Sequence, residues 1–419
     1  MDQDRVVATY LVETPFSIEQ AAASIAGEQS TGTFTSVPGE TNELKEKHGA
    51  NVLSIEALES VDNPSLPGAK LPPQHDGQFR RGKVKVSFPL HNFGPSIPNL
   101  LSAVAGNLYE LQELSGLRLL DLELPDAFAT RYPGPKFGVE GTRKLTGIYN
   151  RPILGTIVKP SIGLSTTELA ELVEKLARAG MDIIKDDELN GNPPYAPLEQ
   201  KVRAVTEAIE RAADATGKKL MYAFNITGDY DELRRNHDLV VSAGGTCVMV
   251  SIMSVGFAGL TYLNQYSEIP IHGHRNQWGM LTRSPLLGME FNVFQKLSRL
   301  AGADHIHVNG LNSKFCESNE SVVRSIQDCV KPLLGGYHIM PVMSSMQWAG
   351  TAPVAYEAIQ SVDVMHLAGG GMLAHPDGPA AGFDSMKLGW EAAVQGIPLD
   401  VYAASHPVLR RAIEKFGRS

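Results

Sequence analysis

An N-terminal α+β domain followed by a closed (β/α)₈ barrel is the α/β fold class that this sequence predicts, and three observations predict it. After Ile153, eight short apolar runs alternate with stretches of helical periodicity. These units occupy roughly 265 residues, close to the size of one (β/α)₈ barrel. No dinucleotide glycine fingerprint accompanies them, which favours closure over an open doubly wound sheet. Pro125, Pro133, Gly134 and Pro135 punctuate the chain ahead of the barrel. The expected domains are therefore residues 1–130 and residues 131–419, the second ending in C-terminal helices.

In the first domain, Arg5 to Glu13 carries Val6, Val7, Tyr10 and Leu11 and reads as a strand. Ser17 opens a helix, with Gln20 three residues on as in a capping box. A polar, proline-rich loop spans residues 63–79. Arg81 to Phe88 alternates, with Val84, Val86 and Phe88 on one face, and predicts a half-buried strand. Leu101–Tyr109 reads as helix and Leu117–Leu124 as strand. The barrel strands are expected at Ile153–Val158, Asp182–Ile184, Leu220–Phe224, Cys247–Ile252, Ile269–Ile271, His305–Val308, His338–Met343 and Val364–Leu367. Helices fall between them, among them Thr166–Arg178, capped by Ser165 with Glu168, and Leu198–Ala213. Arg80, Arg81 and Lys83 read as a solvated face, and Met340, Met343 and Met365 as core.

Composition narrows the function. The chain has 419 residues, 43% hydrophobic and 20% charged, enough for a large core. A net charge of -9 without a long basic run argues against nucleic-acid binding. Three cysteines without metal-ligand spacing point to a reducing compartment. With no signal peptide and no apolar stretch of membrane-spanning length, the expected location is cytoplasmic.

A barrel does its chemistry at the C-terminal ends of its strands. Those ends carry Lys159; Lys185, Asp187 and Glu188; Asn225; His274 and Arg275; His307 and then Lys314; Ser344; and Gly369, Gly370 and Gly371. Asp187 and Glu188 are hard oxygen ligands suited to Mg²⁺. An ammonium cannot ligate a cation, so Lys185 is either an ion-pair partner or, after reaction with CO₂, a carbamate ligand. Lys159 could move a proton if its pKa were depressed. Arg275 and the backbone amides of the glycine run could hold phosphate oxygens. His274 and His307 could carry protons or donate to phosphate.

In this order the residues resemble the large subunit of ribulose bisphosphate carboxylase (Rubisco). The segments that carry the resemblance are Gly155–Pro160, Gly180–Glu188, Asp304–His307, Gly369–Gly371 with His375-Pro376, and, in the first domain, Glu28–Thr33 and Gly106-Asn107. The resemblance implies a ferredoxin-like first domain and an active site shared between subunits of a homodimer or larger assembly. It makes Lys185 a carbamylated ligand of Mg²⁺ beside Asp187 and Glu188, Lys159 the proton-abstracting lysine and His274 a later proton carrier. Arg275 and His307 then hold one phosphate end, with Ser344 in the same phosphate region. Thr33 and Gly369–Gly371 hold the other end. Lys314 is the loop lysine, Glu28 its acidic partner and Asn107 a residue near the metal.

The departures point to a Rubisco-like protein that does not fix CO₂. Ser161 follows Lys159-Pro160 where carboxylases have a second lysine. Trp278 replaces a histidine, either as a pocket wall or as packing. Phe34 replaces a tryptophan, and Ser344-Ser345-Met346-Gln347 replaces a Ser-Gly-Gly turn. The retained Lys314 and His274 imply a carboxylate on the substrate. The leading expectation is a decarboxylase or C–C lyase acting on a phosphorylated 3-oxo sugar acid, such as 3-oxo-isoapionate 4-phosphate. The alternatives are an enolase or isomerase of a methylthio-ketopentose phosphate, residual carboxylation, and a non-catalytic sensor.

Overall fold

The computed structural model describes residues 4–32 and 37–417. Thr33 and Phe34 lie outside the described residues. The chain forms two compact units, Met1–Pro133 with Gln277–Leu297, and Gly134–Asn276 with Ser298–Ser419.

The first unit holds a five-stranded mixed sheet. Its strands, numbered along the chain, are β1 (Arg5–Thr14), β2 (Asn51–Val61), β3 (Phe79–Pro89), β4 (Gly116–Glu123) and β10 (Leu287–Met289), in the order β10-β4-β1-β3-β2. The β4-β1-β3-β2 part is antiparallel throughout, with a helix (Ile18–Glu28) between β1 and β2, which is the ferredoxin-like arrangement. β1 buries alternate residues, Val6, Ala8, Tyr10 and Val12, as a sheet with one covered face requires. The Ser17 hydroxyl accepts from the Gln20 N–H and caps the helix.

Three features of this unit differ from the sequence expectation. The helix expected at 101–109 runs Ile97–Val104, with Ser96 as its N-cap and Pro98 in its first turn. It ends at Val104: Ala105 has already left the helical path with a φ of -121°, and Gly106 follows at 31° before a 3₁₀ turn at Leu108–Glu110. β2 carries no alternation to read, because nearly all of it is exposed at the sheet edge. Arg81 is not merely solvated. It donates to Glu13, a fully buried carboxylate that also takes bonds from Ser65 and Ser115.

The second unit is a closed parallel barrel of eight strands: β5 (Ile153–Ile157), β6 (Ile183–Lys185), β7 (Met221–Asn225), β8 (Cys247–Ser251), β9 (Ile271–His274), β11 (His305–His307), β12 (Met340–Met343) and β13 (Met365–Leu367). Pairing of β9 with β11 closes it. All eight expected strands are present, the fifth shifted about two residues later. The helix Thr166–Arg178 has the full capping box of Ser165 and Glu168.

The barrel core is apolar, built from residues such as Ile153, Ile183, Met221, Met249, Met340, Val342 and Met365. Side chains two apart on a strand share a face. Lys185 therefore follows Ile183 on the same face, where the apolar filling gives way to polar groups near the strand ends. Among the described residues, no helix is long and apolar enough to cross a membrane.

Candidate active site at the barrel mouth

The segment after β6 is anchored from below. Asp186 is fully buried; its carboxylate accepts from Lys201 Nζ at 2.8 Å, from the Tyr222 hydroxyl at 2.5 Å and from the Asn225 N–H at 2.9 Å. Lys201 is equally buried and also donates to the carbonyls of Asn190 and Gly191. The Asn225 amide donates to the carbonyls of Asp187 and Glu188, each at 3.2 Å. With both faces of this turn satisfied, Asp186 is committed to the interior, and Asp187 and Glu188 are left for the mouth.

Around them the expected residues gather. Lys185 Nζ is 3.2 Å from Glu188 Oε2 and 2.7 Å from the Asp186 carbonyl. Burial pushes the Lys185 pKa down, against the attraction of Glu188 and Asp187. Burial would raise the Glu188 pKa, but Lys185 and His274 outweigh it and hold it at about 2. Lys159 Nζ donates to Asp187 Oδ2 at 2.7 Å and to Ser161 Oγ at 2.8 Å. His274 Nδ1 accepts from the Asn276 N–H, so Nε2 bears the ring proton and faces Glu188 Oε2 at 3.5 Å. Burial first, and Lys185 second, lower the His274 pKa to about 4. His307 Nδ1 lies 3.1 Å from Ser344 Oγ, and its ring centroid is 4.4 Å from that of His274.

The glycine run divides in two. A Cβ on Gly371 would fall 2.1 Å from the Gln347 carbonyl oxygen, so packing alone demands that glycine. A Cβ on Gly369 would meet only Lys159 Cε at 3.8 Å, and one on Gly370 would meet nothing within 4 Å. Gly369 and Gly370 therefore leave open space next to Lys159. Arg275 pairs with Glu317 at 2.5 Å, and Glu317 also accepts from the Asn309 amide. Lys314 is exposed on the loop between them, its Nζ 5.4 Å from the Phe315 ring centroid.

Glu28 and Asn107 belong to the first unit and are both exposed. Gln29, beside Glu28, packs onto Gly106, beside Asn107, so these residues share one edge of that unit. Trp278 is packing: it meets Phe294 in a tilted contact at 4.8 Å and Phe291 edge-on at 5.8 Å.

Lys201, Asp186, Tyr222 and Glu317 escaped the sequence reading. Lys201 left a trace, since it falls among Leu198, Val202 and Val205 on the buried face of its helix. A lysine there needs a buried acid. Among the described residues, no three or more His, Cys, Asp or Glu side chains converge into a metal site. Asp187 and Glu188 thus supply two carboxylates, one group fewer than three, with the buried Lys185 amine beside them.

A closed (β/α)₈ barrel with a lysine and two acids at the end of its second strand, preceded by a ferredoxin-like unit, defines a class of carboxylase-type folds. The chain belongs to the ribulose bisphosphate carboxylase large-chain family: the catalytic-domain model matches residues 138–416 and the N-terminal-domain model residues 1–128. It is 47% identical over 412 residues to a 3-oxo-isoapionate-4-phosphate transcarboxylase/hydrolase of Xanthobacter autotrophicus, covering 98% of this chain and 99% of that one. It is 45% identical over 415 residues to a 3-oxo-isoapionate-4-phosphate decarboxylase of Rhizobium etli, again covering 98% and 99%. The crystal structure of a rubisco-like protein from Burkholderia fungorum superposes with a TM-score of 0.93 at 45% identity, covering 99% of this chain and 100% of the other.

Proposed function

We propose that this chain is a Mg²⁺-dependent enzyme that breaks the C–C bond to the carboxylate of a phosphorylated 3-oxo sugar acid, with 3-oxo-isoapionate 4-phosphate as the first substrate to test. The observation that carries this reading is the convergence of Lys185, Asp187, Glu188 and His274 at one end of the barrel, in a chain alike from end to end to proteins named for that substrate.

The donor set fits a hard cation once Lys185 carries a carbamate. Two acids alone are a modest Mg²⁺ site, and a third anionic oxygen on the buried amine completes a plausible one. Lys185 is well placed for this, because burial favours the neutral amine that adds CO₂. The cation, when bound, supplies positive charge that polarises the substrate ketone and its adjacent hydroxyl.

The chain's own groups do the rest. Arg275, positioned by Glu317, and the open backbone at Gly369 and Gly370 offer sites for the phosphate. The Lys314 ammonium suits the carboxylate that departs. Cleavage to CO₂ leaves an electron pair on the former α-carbon, and one proton must be delivered there. Lys159 Nζ and His274 Nε2 are the protonated groups at hand. Glu28, Thr33 and Asn107 are supplied by a second copy in a cytoplasmic homodimer or larger assembly.

Substrate labelled with ¹³C at its carboxylate tests the reading. Release of labelled CO₂ by the Mg²⁺- and bicarbonate-treated protein is the expected result. Solvent deuterium incorporation with the carboxylate retained would replace this reading with an isomerase, and no reaction at all would overturn it.

A further inference from the structure

The loop that carries Lys314 stands on a fixed foot. It runs from the end of β11 to the helix Asn319–Val330, and it emerges from the interior at Asn312, after the buried Leu311. Asn309 and Asn312 flank Gly310-Leu311 with left-handed φ of 77° and 52°, so the backbone turns on both sides of that pair. The Asn312 N–H donates to Asn319 Oδ1 at 2.8 Å, and Asn319 Nδ2 donates back to Asn312 Oδ1 at 2.8 Å. The Leu311 carbonyl accepts from Gln347 Nε2 at 3.0 Å. A Cβ on Gly310 would fall 2.3 Å from that nitrogen, so glycine lets the backbone come up against the amide.

The Gln347 side chain is buried, and its orientation is set from the far side of the barrel wall. Trp390 Nε1, on the helix Pro379–Gln395, can only donate, and it reaches His366 Nδ1 at 2.9 Å. Burial keeps the His366 ring neutral, its pKa lowered to about 3. The one ring proton is therefore on Nε2, which faces Gln347 Oε1 at 3.0 Å. Thr351 Oγ1, which donates to the Trp348 carbonyl, lies 3.3 Å from the same nitrogen. Turning the amide over would set its NH₂ against the His366 N–H. Its two N–H groups are thus left for the carbonyls of Leu311 at 3.0 Å and Ser345 at 2.6 Å.

We propose that Gln347 is a positioning residue for Lys314: held in one orientation by His366 and Trp390, it pins Leu311 at the foot of the loop, so that motion is confined to Ser313–Cys316 and the lysine swings from a fixed point. Gln347 does this without touching a ligand, because its amide is buried and both its N–H groups and its oxygen are engaged within the chain. The consequence for catalysis rests on the proposed function, in which Lys314 meets the substrate carboxylate. With a loose foot, substrate would have to order a longer segment on binding, so the clamp acts on KM more than on kcat.

Two readouts on the full-length protein need no substrate, and so stand apart from whether the substrate assignment is right. In the wild type, amide hydrogen exchange should be slow at Asn312 and fast at Lys314 and Cys316. Equal rates at the three would overturn the proposal, whether or not any variant folds. Gln347→Met nearly keeps the volume and removes both donors, so trypsin under native conditions should cut after the exposed Lys314 about tenfold faster. An unchanged rate in the folded variant would overturn it. With the phosphorylated 3-oxo acid as substrate, Gln347→Met should raise KM more than it lowers kcat, and should add nothing on a Lys314→Ala background. Additive losses in the double variant would mean that Gln347 acts by another route than Lys314, and would also overturn it.

Discussion

Lys201 determines the site without touching it. Its ammonium and Asp186 are both fully buried, 2.8 Å apart, and the same carboxylate holds Tyr222 and the Asn225 backbone. Removing one partner of such a pair strands a charge in the interior, which typically costs about 3–5 kcal/mol. Lys201→Met is therefore expected to lower unfolding free energy by that order in urea titration, and to lower activity because Asp187 and Glu188 lose their base. A loss below about 1 kcal/mol, the range of a surface pair, would mean the anchor is not built this way. Asp186 shows why adjacent acids cannot be assigned from sequence alone. Three acids follow Lys185 in a row, and only the partners arriving from the next helix and from β7 decide which one faces inward.

At the scale of elements, the glycine run that follows β13 and enters the short helix Gly370–Leu373 carries a paired prediction. Gly371→Ala pushes a methyl to within 2.1 Å of the Gln347 carbonyl oxygen, so it should lower the melting temperature markedly. Gly369→Ala meets only Lys159 Cε at 3.8 Å, so it should leave the melting temperature near wild type and lower kcat/KM by intruding on ligand space. Equal melting temperatures for the two variants would contradict this division.

The barrel strands were legible because each is a short apolar run bounded by helical periodicity, and Ser165 with Glu168 marked a helix start without ambiguity. β2 was not, since an exposed edge strand has no hydrophobic alternation. β10 was hidden because Leu287–Met289 lies between two barrel strands in sequence yet belongs to the first unit, where it pairs with β4. The strand-end residues Lys159, Lys185, Asp187, Glu188 and His274 could be listed from sequence. Of their supports, Lys201 showed only as a lysine on the apolar face of its helix, without its partner, and Glu317 not at all, because an ion pair between separate segments leaves no spacing.

For the whole molecule, the prediction concerns copies. Glu28 and Asn107 sit on one edge of the first unit, and Lys185 sits in the barrel of the second. If a partner copy supplies the first pair, Glu28→Gln and Lys185→Ala are each inactive alone but complement when mixed under subunit exchange. Random pairing of a two-fold dimer gives about half hybrids with one intact site each, hence about a quarter of wild-type activity. No recovery, with exchange verified by mass, would restrict each site to a single chain.

The most direct measurement on the central claim is Mg²⁺ affinity by calorimetry in CO₂-free and bicarbonate-equilibrated buffer, for wild type and for Lys185→Ala. Lys185, as a carbamate beside Asp187 and Glu188, predicts that CO₂ tightens Mg²⁺ binding to the wild type by at least roughly tenfold and does nothing for the variant. Equal affinity in both buffers, or a CO₂ effect that survives in Lys185→Ala, would contradict the account.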